Sequence, residues 1–122
     1  MNQELTDIEP AYAHLSEFAK ATHGTAAAIQ GMRQKAIYSD GALPAKFKAL
    51  AALLWSISAR CGPCVRYYAL KSRDLGVSEE ELGEICAVAS TMGGCVGETW
   101  ALKAFAAFKE SNTEDEECCT LD

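Results

Sequence analysis

No stretch of this sequence is apolar for long enough to cross a bilayer. The longest run, Ala49 to Trp55, falls far short of the roughly 20 residues a membrane helix requires. Positive charge is not in excess either, with 11 Lys and Arg against 17 Asp and Glu and a net charge of −6. Five of the acids, Glu114, Asp115, Glu116, Glu117 and Asp122, sit in residues 113–122 with no base among them, leaving 12 acids against 11 bases over residues 1–112. That balance argues against a nucleic-acid or anionic-membrane partner. Alternation of apolar and polar residues is too short anywhere to suggest a sheet, and no internal repeat is visible. The opening residues, Met1 to Asp7, are acidic and lack the apolar core of a secretory signal. A cytoplasmic chain is therefore expected. In that compartment six cysteines are more naturally reactive, metal-binding or buried than structurally cross-linked.

What the sequence does contain is helical periodicity. At 122 residues and 49% hydrophobic, it has the makings of one soluble domain. A first helix is expected from Asp7 to about Lys20, with Thr6 and Glu9 in capping-box positions and Pro10 in the first turn. A second runs from Thr25 to about Tyr38 and stops at Ser39-Asp40-Gly41. Pro44 sits where the next helix begins. From Phe47 to Ile57, nine of eleven residues are apolar, so that helix must be buried in a core or against another subunit. Gly62-Pro63 interrupts it and restarts a helix that reaches about Leu75. There Gly76 closes the helix in the left-handed conformation. Ser78 and Glu81 form a second capping-box pair ahead of a helix with Leu82, Ile85, Ala89 and Met92 on one stripe. Gly93-Gly94 breaks it, and a last helix runs from about Cys95 to Lys109. The expected fold is all-α: a single-domain bundle of about six helices over residues 1–110, followed by an acidic disordered tail, 111–122, that carries Cys118-Cys119.

The strongest chemical signal is Cys61-Gly62-Pro63-Cys64. Two cysteines so spaced can close a small disulfide reversibly. At a helix start, unpaired backbone N–H groups and the helix dipole stabilise a thiolate, the attacking species. Such placement can lower a cysteine pKa from about 8.5 to about 3.5–7.5. Arg60 and Arg66 flank the pair and push the same way. The same string occurs in zinc sites and in thioredoxin-like folds. A zinc site would want a second close ligand pair, whereas Cys86 and Cys95 stand nine apart on separate predicted helices. A thioredoxin fold would place the motif after a β-strand, and here it follows an apolar helix.

The segments Leu43-Pro44, Ala49-Leu50-Ala51, Cys61-x-x-Cys64, Leu75-Gly76-Val77-Ser78-Glu79-Glu80-Glu81-Leu82 and Met92-Gly93-Gly94 occur in register. Together they resemble the core of the alkylhydroperoxidase-D-like (carboxymuconolactone decarboxylase) family over residues 40–110. The resemblance implies an all-helical fold assembled as a homo-oligomer, usually a trimer or hexamer. It also implies reduction of small peroxides, or exchange with disulfides, with electrons returned by a thiol protein or a small thiol. In that scheme Cys64 is the residue oxidised to sulfenic acid and Cys61 condenses with it. Neither a cofactor nor a metal is implied. Lactone decarboxylation belongs to relatives that lack the cysteine pair.

Two positions depart from the family pattern. The histidine expected four residues after the second cysteine is Tyr68, and the glutamate expected twelve before the first is Ala49. Tyr68, with an ordinary phenol pKa near 10, is a poor base at neutral pH. Glu98, in the first turn after Gly93-Gly94, is the candidate replacement, though a first-turn acid there also suits the helix dipole alone. Cys95 is a candidate third thiol or a small residue packed at the glycine turn, and Cys86, four residues after Leu82, belongs to the core. Cys118-Cys119 resembles the tail dithiol of mercuric reductases only in its placement, and is a thiol shuttle, a soft-metal ligand pair or incidental. Two function classes stand: a thiol–disulfide oxidoreductase, and a helical oligomer that binds a soft metal through its cysteines without turnover.

Overall fold

A computed structural model describes the backbone of residues 3–120 and the side chains of residues 5–110. The elements in order are α1 (Gln3–Ile8), a 3-10 turn (Pro10–His14), α2 (Leu15–Ala21), α3 (Thr25–Ala36), α4 (Ala45–Ala59), α5 (Gly62–Asp74) and α6 (Glu79–Thr120). No strand occurs among the described residues, so the all-α expectation holds.

The core is where α4, α5 and α6 meet. On α4 the residues Ala45, Ala49, Leu53 and Ile57, one turn apart, form a buried row with Leu50 beside it. Val65 and Ala69 of α5 and Leu82, Ala89, Ala101, Ala104, Ala107 and Phe108 of α6 complete the cluster. Each fully buried Leu or Val contributes about 1.5–3 kcal/mol by leaving water. The opposite side of α4 is uncovered, with Phe47 exposed and Trp55 78% exposed. A helix apolar on nearly all sides thus finds a partner for only one of them among the described residues.

α6 is two arms rather than one rod. Gly94, at φ 62° and ψ −146°, leaves the helical region and turns the chain back on itself. Three pairings show the arms running antiparallel: Lys109 Nζ bonds Glu79 Oε1 at 2.9 Å, the Cys86 thiol donates to the Ala101 carbonyl at 3.6 Å, and Gly97 lies against the Ala89 carbonyl. The break expected at Gly93-Gly94 is therefore present, and it makes a helical hairpin. The second arm is helical through Thr120, while the side chains of 111–122 lie outside the described residues. The expectation of a disordered tail, together with Cys118 and Cys119, falls there.

Local capping agrees with the sequence where glycine and short polar residues act. Gly76, at φ 94°, closes α5, and Val77 N donates back to Ser72 O at 3.0 Å. Ser78 and Glu81 exchange hydrogen bonds at 3.0 Å each, the reciprocal arrangement of a capping box. Glu81 also takes Lys46 Nζ at 3.1 and 3.2 Å, tying α6 to α4. The Ser78 backbone N–H first, and Lys46 with it, hold its carboxyl below the usual range.

The N-terminal segment corrects the expectation of one helix from Asp7 to Lys20. Pro10 disfavours a helical conformation at the residue before it, and Glu9 is extended at φ −154° and ψ 114°. α1 therefore ends at Ile8, and Thr6 lies inside it rather than at its start. Glu9 instead caps the 3-10 turn, accepting from Ala11 N at 3.1 Å. α3 stops two residues short of Tyr38, at Ala36.

Gly97 offers a direct test of the hairpin. A Cβ there would drive into the Ala89 carbonyl oxygen, backbone that cannot swing aside. Gly97→Ala should therefore lose the about 1–3 kcal/mol typical of overpacking. That outweighs the about 0.5–1 kcal/mol gained by removing a helical glycine. A lower urea midpoint checks this, and an unchanged or higher midpoint would refute the close packing of the arms.

Candidate functional site

The site is made where α4 stops and α5 starts. Arg60 adopts the left-handed conformation at φ 56° and ψ 43°, which ends α4. Its N–H donates to Ile57 O, and Cys61 N donates to Ser56 O at 3.1 Å, a 6→1 bond of the Schellman type. A non-glycine residue in this region costs roughly 1–2 kcal/mol. The chain thus accepts local strain immediately before the first cysteine.

Cys61 is the N-cap of α5, in extended conformation at φ −95° and ψ 103°. Its carbonyl receives Val65 N at 2.9 Å, and its Sγ receives Cys64 N at 3.4 Å. Pro63 falls in the first turn, where its missing N–H is no loss. Cys61 and Cys64 form a disulfide, with Cα atoms 5.3 Å apart, and both residues are half-buried. The two sulfurs are thus brought together at a helix start and remain within reach of solvent.

One turn further on, Tyr67 and Tyr68 stand edge to face with ring centroids 5.2 Å apart. Tyr68 is at i+4 from Cys64, and a helical side chain leans toward the turn before it, so Tyr68 overlies Cys64. Tyr38, arriving from the end of α3, packs on the same group. Its hydroxyl is sealed from solvent without a hydrogen-bond partner among the described residues. Burial first, then Tyr67 and Tyr68, push its ionisation well above the ordinary phenol range. Tyr12 of the 3-10 turn is also pushed up, by burial first and by Glu9 next, with smaller effects from Tyr67 and Tyr68. Tyr12 and Tyr38 therefore come near Tyr67 and Tyr68, one turn along α5 from Cys64. Lys71 lies over the rings of Tyr67 and Tyr38 at 5.6 and 6.0 Å. Only Tyr68 was singled out from sequence. Tyr12 and Tyr38 come from distant segments, and no local spacing signals their arrival.

Ala49, at the position where the family carries glutamate, is fully buried in the core. Arg66 pairs through both terminal nitrogens with Glu110, at 2.8 and 3.4 Å, which fixes the far end of the second α6 arm beside the start of α5. Cys95 and Glu98, both exposed, lie at the other end of that arm. At about 1.5 Å of rise per residue, Cys95 is roughly 22 Å along the arm from Glu110. Within one chain the structure brings Cys61, Cys64 and Tyr68 together and keeps Cys95 and Glu98 away from them. Cys86 is half-buried against the core, and burial pushes its thiol up. No group of three or more His, Cys, Asp or Glu side chains has metal-holding geometry among the described residues. No helix of the described residues is long and apolar enough to cross a membrane.

These features define a small all-helical domain with a half-exposed cysteine pair capping a central helix. The sequence model of the carboxymuconolactone decarboxylase family matches residues 24–107. An uncharacterized protein of Cupriavidus necator is 31% identical over 112 residues, covering 92% of this chain and 96% of that protein. The apo crystal structure of a carboxymuconolactone decarboxylase family protein from Legionella pneumophila matches with a TM-score of 0.79 at 27% identity, over 89% of this chain and 97% of that one. The chain belongs to the carboxymuconolactone decarboxylase family.

The phenol group makes a pH prediction. Tyr38 ionises less readily folded than unfolded, so its contribution to stability is complete below about pH 10 and is lost as pH rises above that. Tyr38→Phe should change stability at neutral pH by no more than about 1 kcal/mol, because it removes an unpaired hydroxyl. It should also flatten the alkaline loss, as read by denaturant unfolding at neutral pH and at about pH 11. An unchanged alkaline slope would refute the burial of this phenol.

Proposed function

We propose that this chain is a thiol–disulfide oxidoreductase whose Cys61–Cys64 pair cycles between dithiol and disulfide. Its oxidants are partner disulfides and small peroxides. Its reductant is a thiol protein or a small thiol. The observation that carries this reading is the pair itself: two half-exposed sulfurs in bonding contact at a helix start, one of them accepting a backbone N–H. Membership of a family that includes peroxidase-like redox proteins supports it.

The surroundings favour exchange with disulfides over fast peroxide reduction. Ala49 offers no carboxylate, and a phenol beside the pair can donate a hydrogen bond to a departing sulfur or oxygen but does not replace a carboxylate as the base that strips a thiol. A base role for Glu98, or a third-thiol role for Cys95, then requires a neighbouring protomer. Cys118 and Cys119 follow Glu110 by eight and nine residues, and we assign them an auxiliary shuttle role, since Glu110 is anchored beside the pair.

We propose further that the chain is a homo-oligomer, a trimer or hexamer. Supporting this, α2 and α3 bury no residue in the isolated chain, while Phe18, Met32 and Trp55 stand exposed. A shallow groove lined by Ala87, Val88, Thr91 and Met92, the last 82% exposed, adds to the uncovered apolar surface. Sedimentation equilibrium should give three or six times 13.1 kDa. A monomer at micromolar concentration would contradict it.

Cys61→Ser and Cys64→Ser should each lower thiol-dependent turnover of a disulfide or hydroperoxide by about 100-fold or more, since each removes half of the redox couple. Turnover that survives in both variants would sink the proposal. Cys86→Ala should leave turnover unchanged.

A further inference from the structure

The two cysteines of the pair are not equivalent, and their environments differ in three ways. First, Cys61 Sγ sits at the N-cap, where Cys64 N–H points at it from 3.4 Å. Backbone N–H groups of a first turn point out toward the cap, so they meet the sulfur of Cys61 and not that of Cys64, which is inside the helix. Second, the neighbouring cations are committed differently. Arg66, two residues after Cys64, has its charge met by Glu110 at 2.8 Å. Arg60, immediately before Cys61, is exposed and has no ion pair among the described residues. Third, Cys64 is one helical turn before Tyr68, whose ring belongs to the half-buried layer packed on the core, so the apolar neighbour that disfavours charge is on the side of Cys64.

Resting on the redox reading above, we infer that Cys61, and not Cys64, carries the thiolate of the reduced pair and makes the first attack on the oxidant. This reverses the order that the family resemblance implies. With a partner disulfide, the Cys61 thiolate attacks one partner sulfur, a Cys61–partner disulfide forms, and the partner's S–S bond breaks. The released partner thiolate takes a proton from solvent. Cys64 then loses its proton to solvent and attacks Cys61 Sγ, which restores the Cys61–Cys64 bond and expels the second partner thiolate. Two electrons pass from the pair to the partner disulfide. With a hydroperoxide, Cys61 takes the terminal oxygen as a sulfenic acid while the O–O bond breaks and the alkoxide is protonated. Cys64 condenses with the sulfenic acid and releases water.

Limited alkylation of the reduced full-length protein by iodoacetamide at pH 7 tests the assignment. Cleavage after Arg60 and Arg66 yields one peptide holding both cysteines, and fragmentation at Pro63 separates their labels. Cys61 should be labelled about tenfold or more faster than Cys64, since the thiolate is the reacting form. Equal labelling, or faster labelling of Cys64, would overturn the inference. As a second measurement, an aromatic disulfide probe should react faster with reduced Cys64→Ser, which keeps the donating N–H, than with Cys61→Ser. The reverse order would also overturn it. Turnover of the unmutated protein is read separately. A protein that labels at Cys61 first yet fails to cycle defeats the oxidoreductase reading and leaves the thiolate assignment intact. A protein that cycles but labels at Cys64 first does the opposite.

Discussion

The chemistry of this chain depends on one short reversal of the backbone, the hydrogen bond from Cys61 N to Ser56 O that ends one helix and aims the next. Ser56 is buried and belongs to α4, whose inner row is locked into the core by Leu53 and Ile57. The bond therefore transmits the position of the core to the cysteine. Arg60 supplies the left-handed residue that this geometry demands, although it is not glycine. The cost is tolerated because the packing on both sides over-determines the turn, which is where such strain persists in proteins.

From that junction the rest follows in order. α5 leaves the turn with Val65 and Ala69 facing inward, and Cys64 and Tyr68, four residues apart, lie along its flank with Tyr68 packed against the core. The α6 hairpin clasps this helix at Glu110 and Phe108, through Arg66 and Arg73. N-terminal segments add Tyr12 and Tyr38 beside Tyr67 and Tyr68. The outcome is a cysteine pair next to hydroxyl donors. Under the redox reading proposed above, such donors would steady developing charge on a departing atom. Generating the nucleophile would fall to the backbone N–H at the cap, an electrostatic contribution that no side-chain substitution at Ala49 or Tyr68 can erase.

The sequence made local structure legible where glycine, proline and short polar side chains act within a few residues. Gly76, Gly94, the Ser78–Glu81 box and the helix restart at Gly62-Pro63 all appear where their chemistry places them. Pro10 breaks the expected first helix because its effect on the preceding residue outweighs a helical pattern that continues on both sides. Arg60 gave no warning, since nothing in a single sequence marks a non-glycine residue as left-handed. The cysteine pair was readable from its spacing. The tyrosine group was not, because Tyr12, Tyr38 and Tyr67 are united only by the packing of separate elements. Placing Glu98 and Cys95 relative to the pair also required knowing that α6 folds back on itself.

The disulfide spans a separation of only three residues, and that has a consequence for the molecule as a whole. A covalent loop so small restricts the unfolded chain by about 2 kcal/mol, less than the about 3 kcal/mol of a 15-residue loop. Closing the pair therefore adds only a modest increment to the stability of the fold. Under the proposed redox reading, the two electrons would be exchanged with the architecture left in place.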